Sequence, residues 1–103
     1  MGAVTSLRAS AYDRWHRYQE DPDGPAYLVA RDEYYKAYEQ ARGAYTKLRL
    51  LTHGGQVAEL ADVAIEQATQ IKDAGTEEDR AARGETAKAA LDAFLNAASD
   101  DLR

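Results

Sequence analysis

The stretch from Tyr27 to Thr52 constrains the fold more than any other part of the chain. Tyr27, Tyr34, Tyr38, Ala41, Tyr45, Leu48 and Thr52 follow one another at gaps of seven, three or four residues. That spacing keeps side chains on one stripe of an α-helix and matches no strand period. Arg31, Asp32, Glu39, Arg42 and Lys47 fall mostly off the stripe, so the segment predicts an amphipathic helix whose aromatic seam needs a partner. Buried tyrosine rings sit most economically at the rim of a core, with their hydroxyls reaching water and small side chains opposite. Gly43 and Ala44 are expected to let another backbone come close, offsetting a helix cost for glycine of roughly 1 kcal/mol.

Three further helices follow from the same reasoning. Val4, Leu7, Ala11, Trp15 and Tyr18 recur every three or four residues and predict a helix over residues 3–20. Asp21-Pro22-Asp23-Gly24-Pro25 ends it, because proline lacks a backbone donor and pushes its predecessor out of the α region. Pro25 suits the first turn of the next helix, with Asp23 or Gly24 as cap. His53-Gly54-Gly55 closes that helix, glycine supplying the left-handed conformation common at helix ends. A third helix from Gln56 carries Val57, Leu60, Ala61, Ala64, Ala68 and Ile71, the small partners the tyrosines require, and stops at Ala74-Gly75. Thr76 and Asp79 resemble a capping box, and Glu77, Glu78 and Asp79 suit the positive end of a fourth helix. Its stripe is Ala87, Leu91, Phe94, Ala98 and Leu102.

The expected fold is therefore all-α: an antiparallel helical bundle of three long helices plus an N-terminal helix. Residues 1–103 form one domain, with 1–21 as the N-terminal helix and 25–103 as a three-helix core. Short connections make the last three helices antiparallel neighbours. The second and fourth would be longer than the third, leaving the end of the tyrosine helix near Tyr27 and Leu28 for the first helix, or a second copy of the chain, to cover.

Charge narrows the function classes. Residues 1–50 carry 8 basic and 7 acidic side chains, whereas residues 51–103 carry 5 and 11. The acidic half shows no basic stripe of the kind that tracks a phosphate backbone, so no nucleic-acid partner is expected. Cysteine is absent, which excludes a disulfide framework and a thiol nucleophile. No run reaches the roughly 18 apolar residues that span a bilayer, and no signal-peptide core is present; the chain is expected to be soluble.

The opening Gly2-Ala3-Val4-Thr5-Ser6-Leu7-Arg8, the Tyr12-Asp13-Arg14 triplet and the closing Leu91-Asp92-Ala93-Phe94-Leu95-Asn96-Ala97-Ala98-Ser99-Asp100-Asp101-Leu102 resemble a group of uncharacterised actinobacterial proteins. In that group a short glycine-rich transmembrane helix leads into an arginine-bearing segment and a small cytosolic helical domain. The resemblance covers the whole chain, with Arg31-Asp32-Glu33-Tyr34 and Tyr45 to Leu51 similar in character. It implies a cytoplasmic location at the inner face of the membrane, with membrane contact only through an anchor absent from this chain. Arg8, Arg14 and Arg17 would then lie on the positive cytoplasmic flank. It implies no activity and therefore no catalytic residue.

No constellation for catalysis emerges. His16 lies four residues before Glu20 and three after Asp13, a spacing that could hold a metal, but the Glu-x-x-His pairs of di-iron bundles are missing and a solvated histidine is the simpler reading. His53 suits a helix C-terminus. Glu59, Asp62 and Glu66 share one side of the third helix and read as a solvated row. There is no nucleophile elbow and no phosphate loop. No catalytic, cofactor-binding or metal-binding residue is assigned, and the chain is expected not to be an enzyme.

The candidate interaction surface is Val4, Leu7, Ala11, Trp15 and Tyr18. Left exposed, that face would bind a protein partner or a second copy; packed, it is simply the fourth helix of the bundle, which is the favoured reading. The expected function is a protein-interaction or structural module, the alternative a small-molecule binding or regulatory domain with its ligand along the tyrosine seam.

Overall fold

Each predicted stripe becomes a helix, and the helices alternate in direction along the chain. The computed structural model describes residues 2–52 and 55–101. Helix α1 spans Gly2–Glu20, α2 Pro25–Thr52, α3 Gln56–Thr69 and α4 Glu77–Asp101, with a short 3₁₀ turn at Gln70–Asp73 between the last two. The all-α fold holds, with no strand among the described residues. His53, Gly54 and Leu102, read above as a cap, a helix stop and part of the fourth stripe, lie outside the described residues.

The buried positions recur in steps of three and four on every helix: Val4, Leu7, Ala11 and Trp15; Ala30, Tyr34, Ala37 and Ala41; Val57, Ala61, Ala64, Ala68 and Ile71; Ala87, Leu91 and Phe94. Such a/d-like seams let side chains of one helix enter gaps on the next. Alanine at so many of these positions permits close approach of the backbones. The buried seam of α2 is thus mostly alanine, with Tyr38, Tyr45 and Leu48 packed along its edge.

The topology is two hairpins laid together. Helix α1 packs mainly on α2 and α3 mainly on α4, while α2 also meets α3 and α1 meets α3, α4 and the 3₁₀ turn. The backbones of α2 and α4 do not meet among the described residues. The first helix is no appendage to a three-helix core: Val4, Leu7 and Ala11 are fully buried and belong to the central cluster. Trp15 locks it in place, its Nε1 donating to the Ala74 carbonyl at 2.8 Å, beside the α3–α4 connection.

The turns follow their sequence cues with one correction. Between α1 and α2, Asp21 accepts from the Asp23 N–H and Gly24 from the Leu28 N–H, so Gly24 is the cap of the two residues considered above. A Cβ at Gly24 would lie 2.7 Å from Asp21 Oδ2, so the Asp21 side chain would have to shift to admit one. Ahead of α3, Gly55 is extended (φ −73°, ψ −172°) rather than left-handed. The α4 capping box forms: the Asp79 N–H donates to Thr76 Oγ1 at 3.0 Å, and the Asp79 carboxylate accepts from the Gly75 N–H at 3.1 Å.

Gly43 admits no neighbouring backbone. It is exposed, and a Cβ there would meet nothing within 4 Å. Replacing it with alanine is expected to raise the stability of the chain by about 0.5–1 kcal/mol, since only the entropy of the unfolded chain and helix propensity change. Urea denaturation of Gly43→Ala checks this, and an unchanged or lower midpoint contradicts it.

The unequal helix lengths leave an overhang of α2 beyond the described part of α1, and the end near Tyr27, left above for the first helix or a second copy to cover, is the one α1 reaches. With 19 residues against 28, and a turn of four residues holding them in register, α1 reaches Tyr27 but stops nine residues short of the far end of α2, roughly 13 Å at the α-helical rise. Tyr18 and Tyr27 meet edge to face at 5.4 Å. Leu28 and Val29 remain exposed nevertheless.

Candidate functional site

Most of the candidate surface on α1 is interior. Val4, Leu7, Ala11 and Trp15 are buried, and Tyr18 alone of the five stays open, at 48% exposure. Four of the five thus pack as the fourth helix of the bundle, the reading favoured above: the short turn after Glu20 folds α1 back on α2, and its apolar stripe lies in the core.

The exposed apolar surface lies at the overhang instead. Leu50 and Leu51, in the last turn of α2, are 73% and 79% exposed. Beside them runs a groove of about 620 Å³ lined by Leu51, by Val57 and Leu60 of α3 and by Ala93, Ala97 and Asp100 of α4, together with Gly55 and Gln56. No described residue of α1 lines it. Helical geometry explains both parts. Leu48 packs against the core, so Leu50, roughly 200° further round the helix, falls to the far side, while Leu51, roughly 60° from Leu48, stays at the edge of the seam and lines the groove. The small side chains of Ala93 and Ala97 leave room for the groove between α3 and α4. Periodicity identifies the helix but not this exposure, because Leu50 and Leu51 look like a widening of the tyrosine stripe until the length of α1 is known.

Arginines, absent from the predicted seam, hold the tyrosines. Arg42 donates from Nη1 to Asp62 at 2.6 Å, from Nη2 to Glu66 and from Nε to the Tyr38 hydroxyl at 3.1 Å. Its guanidinium lies 5.4 Å from the Tyr38 ring centre and 5.7 Å from that of Tyr45. Asp62 and Glu66 are therefore the α3 side of a clasp on α2, not a solvated row. Arg14 sits 5.0 and 5.2 Å from the ring centres of Tyr34 and Tyr35, with its Nη1 buried among them and without a hydrogen-bond partner. Delocalised, weakly hydrated guanidinium groups suit aromatic faces. A signal was available: Arg42 follows Tyr38 by four and precedes Tyr45 by three, placing it between the rings rather than opposite them.

Tyr34 is the most enclosed of the seven tyrosines, at 3% exposure. Burial pushes its hydroxyl up to about 12, with the nearby Arg14 charge acting in the other direction. A phenol whose folded pKa exceeds its unfolded value loses its proton first in the unfolded chain, so its contribution is complete below about pH 10 and disappears as pH rises towards 12. Absorbance titration near 295 nm is expected to show one late tyrosine, absent in Tyr34→Phe; seven indistinguishable transitions contradict this.

The tyrosine seam offers little room for a ligand. The hollow lined by Tyr34, Tyr35, Tyr38, Glu66, Thr69 and Lys72 is about 290 Å³, at the lower edge of what a small-molecule site uses. His16 Nε2 pairs with Glu20 at 3.1 Å, on the surface, and no group of three metal-ligating side chains occurs among the described residues. At the start of α4, hydrogen bonds from Arg83 and from the Gly75 N–H hold the Asp79 carboxyl below its usual range. Arg80 does the same for Glu77. These are helix-cap and surface pairs, not catalytic dyads. No helix among the described residues is long and apolar enough to cross a membrane.

A family model described as KilB plasmid transfer protein matches residues 1–102. The chain belongs to the KilB plasmid transfer protein family. The KilB match takes in all four helices, so the overhanging end and both arginine–tyrosine clusters lie inside the family's extent. It spans nearly the same length as the resemblance given above. No curated protein and no solved structure matches the chain.

Proposed function

We propose that this member of the KilB family is a protein-interaction module of a plasmid-transfer apparatus, acting by docking rather than by catalysis. The observation that carries this reading is the pair Leu50 and Leu51, both largely exposed beside a groove of mixed polarity whose lining includes Val57, Leu60, Ala93 and Ala97. Large side chains left open at the rim of a concavity are the pattern of an interface core. The family description supplies the process. The surface is the α2–α3–α4 end rather than the first helix.

The partner in this reading is a protein and not a nucleic acid, in keeping with the acidic balance of residues 51–103. The location is the cytoplasm at the inner face of the membrane, a placement that rests on the resemblance given above, with any membrane contact made through an anchor outside this chain. The test is a plasmid carrying the doubly substituted gene, Leu50→Glu and Leu51→Glu. The substitutions leave the buried core untouched, so helix content and thermal midpoint should be preserved. Two interface leucines are worth about 2 kcal/mol or more together, enough for at least a tenfold fall in partner affinity, and the transfer frequency should drop. Undiminished transfer with this folded variant overturns the proposal.

A further inference from the structure

Resting on the interaction reading above, we infer that the overhanging end docks a second copy of this chain, with the leucine ridge of each copy seated in the groove of the other about a two-fold axis. The groove states what it would accept. Its floor is Val57, Leu60, Ala93 and Ala97, and the ionisable group on its rim is Asp100. It fits a helical segment that presents long aliphatic side chains next to a cation. The chain itself displays such a segment: Leu50 and Leu51 flank Lys47 on one outward face of α2, and all three are exposed.

Ridge and groove also adjoin, since Leu51 belongs to both. An isologous contact needs this arrangement, because each copy must offer both complementary halves on one patch. In the docked pair Lys47 of each copy faces Asp100 of the other.

Sedimentation equilibrium or light scattering across a concentration series tests this on the whole chain. Wild type should pass with rising concentration from the 11.4 kDa of one chain to twice that mass, and the Leu50→Glu, Leu51→Glu variant should remain at the mass of one chain. Lys47→Asp and Asp100→Lys should each weaken association when alone. Mixing these two variants in equal amounts should restore heterodimers, because both contacts then pair opposite charges. One contact is the native Lys47 with Asp100, and the other joins the two introduced charges in reversed order. A wild type that stays at one-chain mass up to about millimolar concentration overturns the inference. So does a mixture no heavier than either charge variant alone. Since transfer frequency is read separately, a chain that never self-associates but still needs Leu50 and Leu51 for transfer would dock another protein, leaving the interaction reading intact while this inference falls.

Discussion

Trp15→Ala is expected to remove about 3–5 kcal/mol of stability, the range for truncating a large buried aromatic. A domain of this size has only about 5–15 kcal/mol in total, and Trp15 contributes in two ways. Its indole is buried between α1 and the α3–α4 connection, and its Nε1 is the hydrogen-bond donor to the Ala74 carbonyl. Trp15→Phe separates the two: most of the apolar area stays while the carbonyl loses its donor, for about 1–3 kcal/mol. Arg80 lies 5.8 Å from the indole centre and 4.5 Å from the ring centre of Tyr12, so Tyr12 still holds that arginine in either variant. Chemical denaturation of the two variants provides the measurement. A loss below about 1 kcal/mol for alanine, the range of an ordinary surface change, would show that α1 is not clamped into the bundle as described.

Arg42→Met should cost about 2 kcal/mol, and Arg42→Lys nearly as much, in the range for breaking a charge-assisted hydrogen-bond network. The clasp is more than a surface ion pair of the kind that contributes little, because the guanidinium is largely covered, joins α2 to two carboxylates of α3 and lies against two rings. Removing it leaves Asp62 and Glu66, one helical turn apart, with unopposed like charge. Lysine cannot reach both carboxylates and the Tyr38 hydroxyl at once, since it lacks the planar fork of donors. Part of the effect is electrostatic and solvent-accessible, so the difference between wild type and Arg42→Met should shrink between low and high salt. Thermal or urea unfolding at two salt concentrations tests this, and an Arg42→Lys variant as stable as wild type would contradict the bidentate account.

Helix positions were legible in the sequence because they depend on local rules. The Pro22-to-Pro25 turn, the Thr76 and Asp79 cap and the repeating apolar residues of all four helices needed no knowledge of tertiary structure. What tyrosine does on α2 was half legible. Tyr34 enters the core as its place on the stripe demands, whereas Tyr38 and Tyr45 stand at its edge and take an arginine rather than alanine as neighbour. A rule that assigns charged residues to the outer face misplaces Arg14 and Arg42, since guanidinium groups can cover aromatic surface. The candidate site was the least legible. Whether Leu50 and Leu51 are covered depends on the register of α1 against α2, a relation between helices set by one turn, and no pattern within α2 encodes it.

The arrangement of two hairpins has a kinetic consequence. Each pairs segments that are consecutive in the chain, so helices α1 with α2, and α3 with α4, can zip up before either half has found the other. Low sequence separation of this sort places a protein among the fast folders, in roughly the microsecond-to-millisecond range. The slow event is then the docking of the halves, where Trp15 meets Ala74 and Arg42 meets Asp62. Substitutions at those junctions should slow folding to the extent that the contacts form in that step, with the rest of the lost stability appearing as faster unfolding.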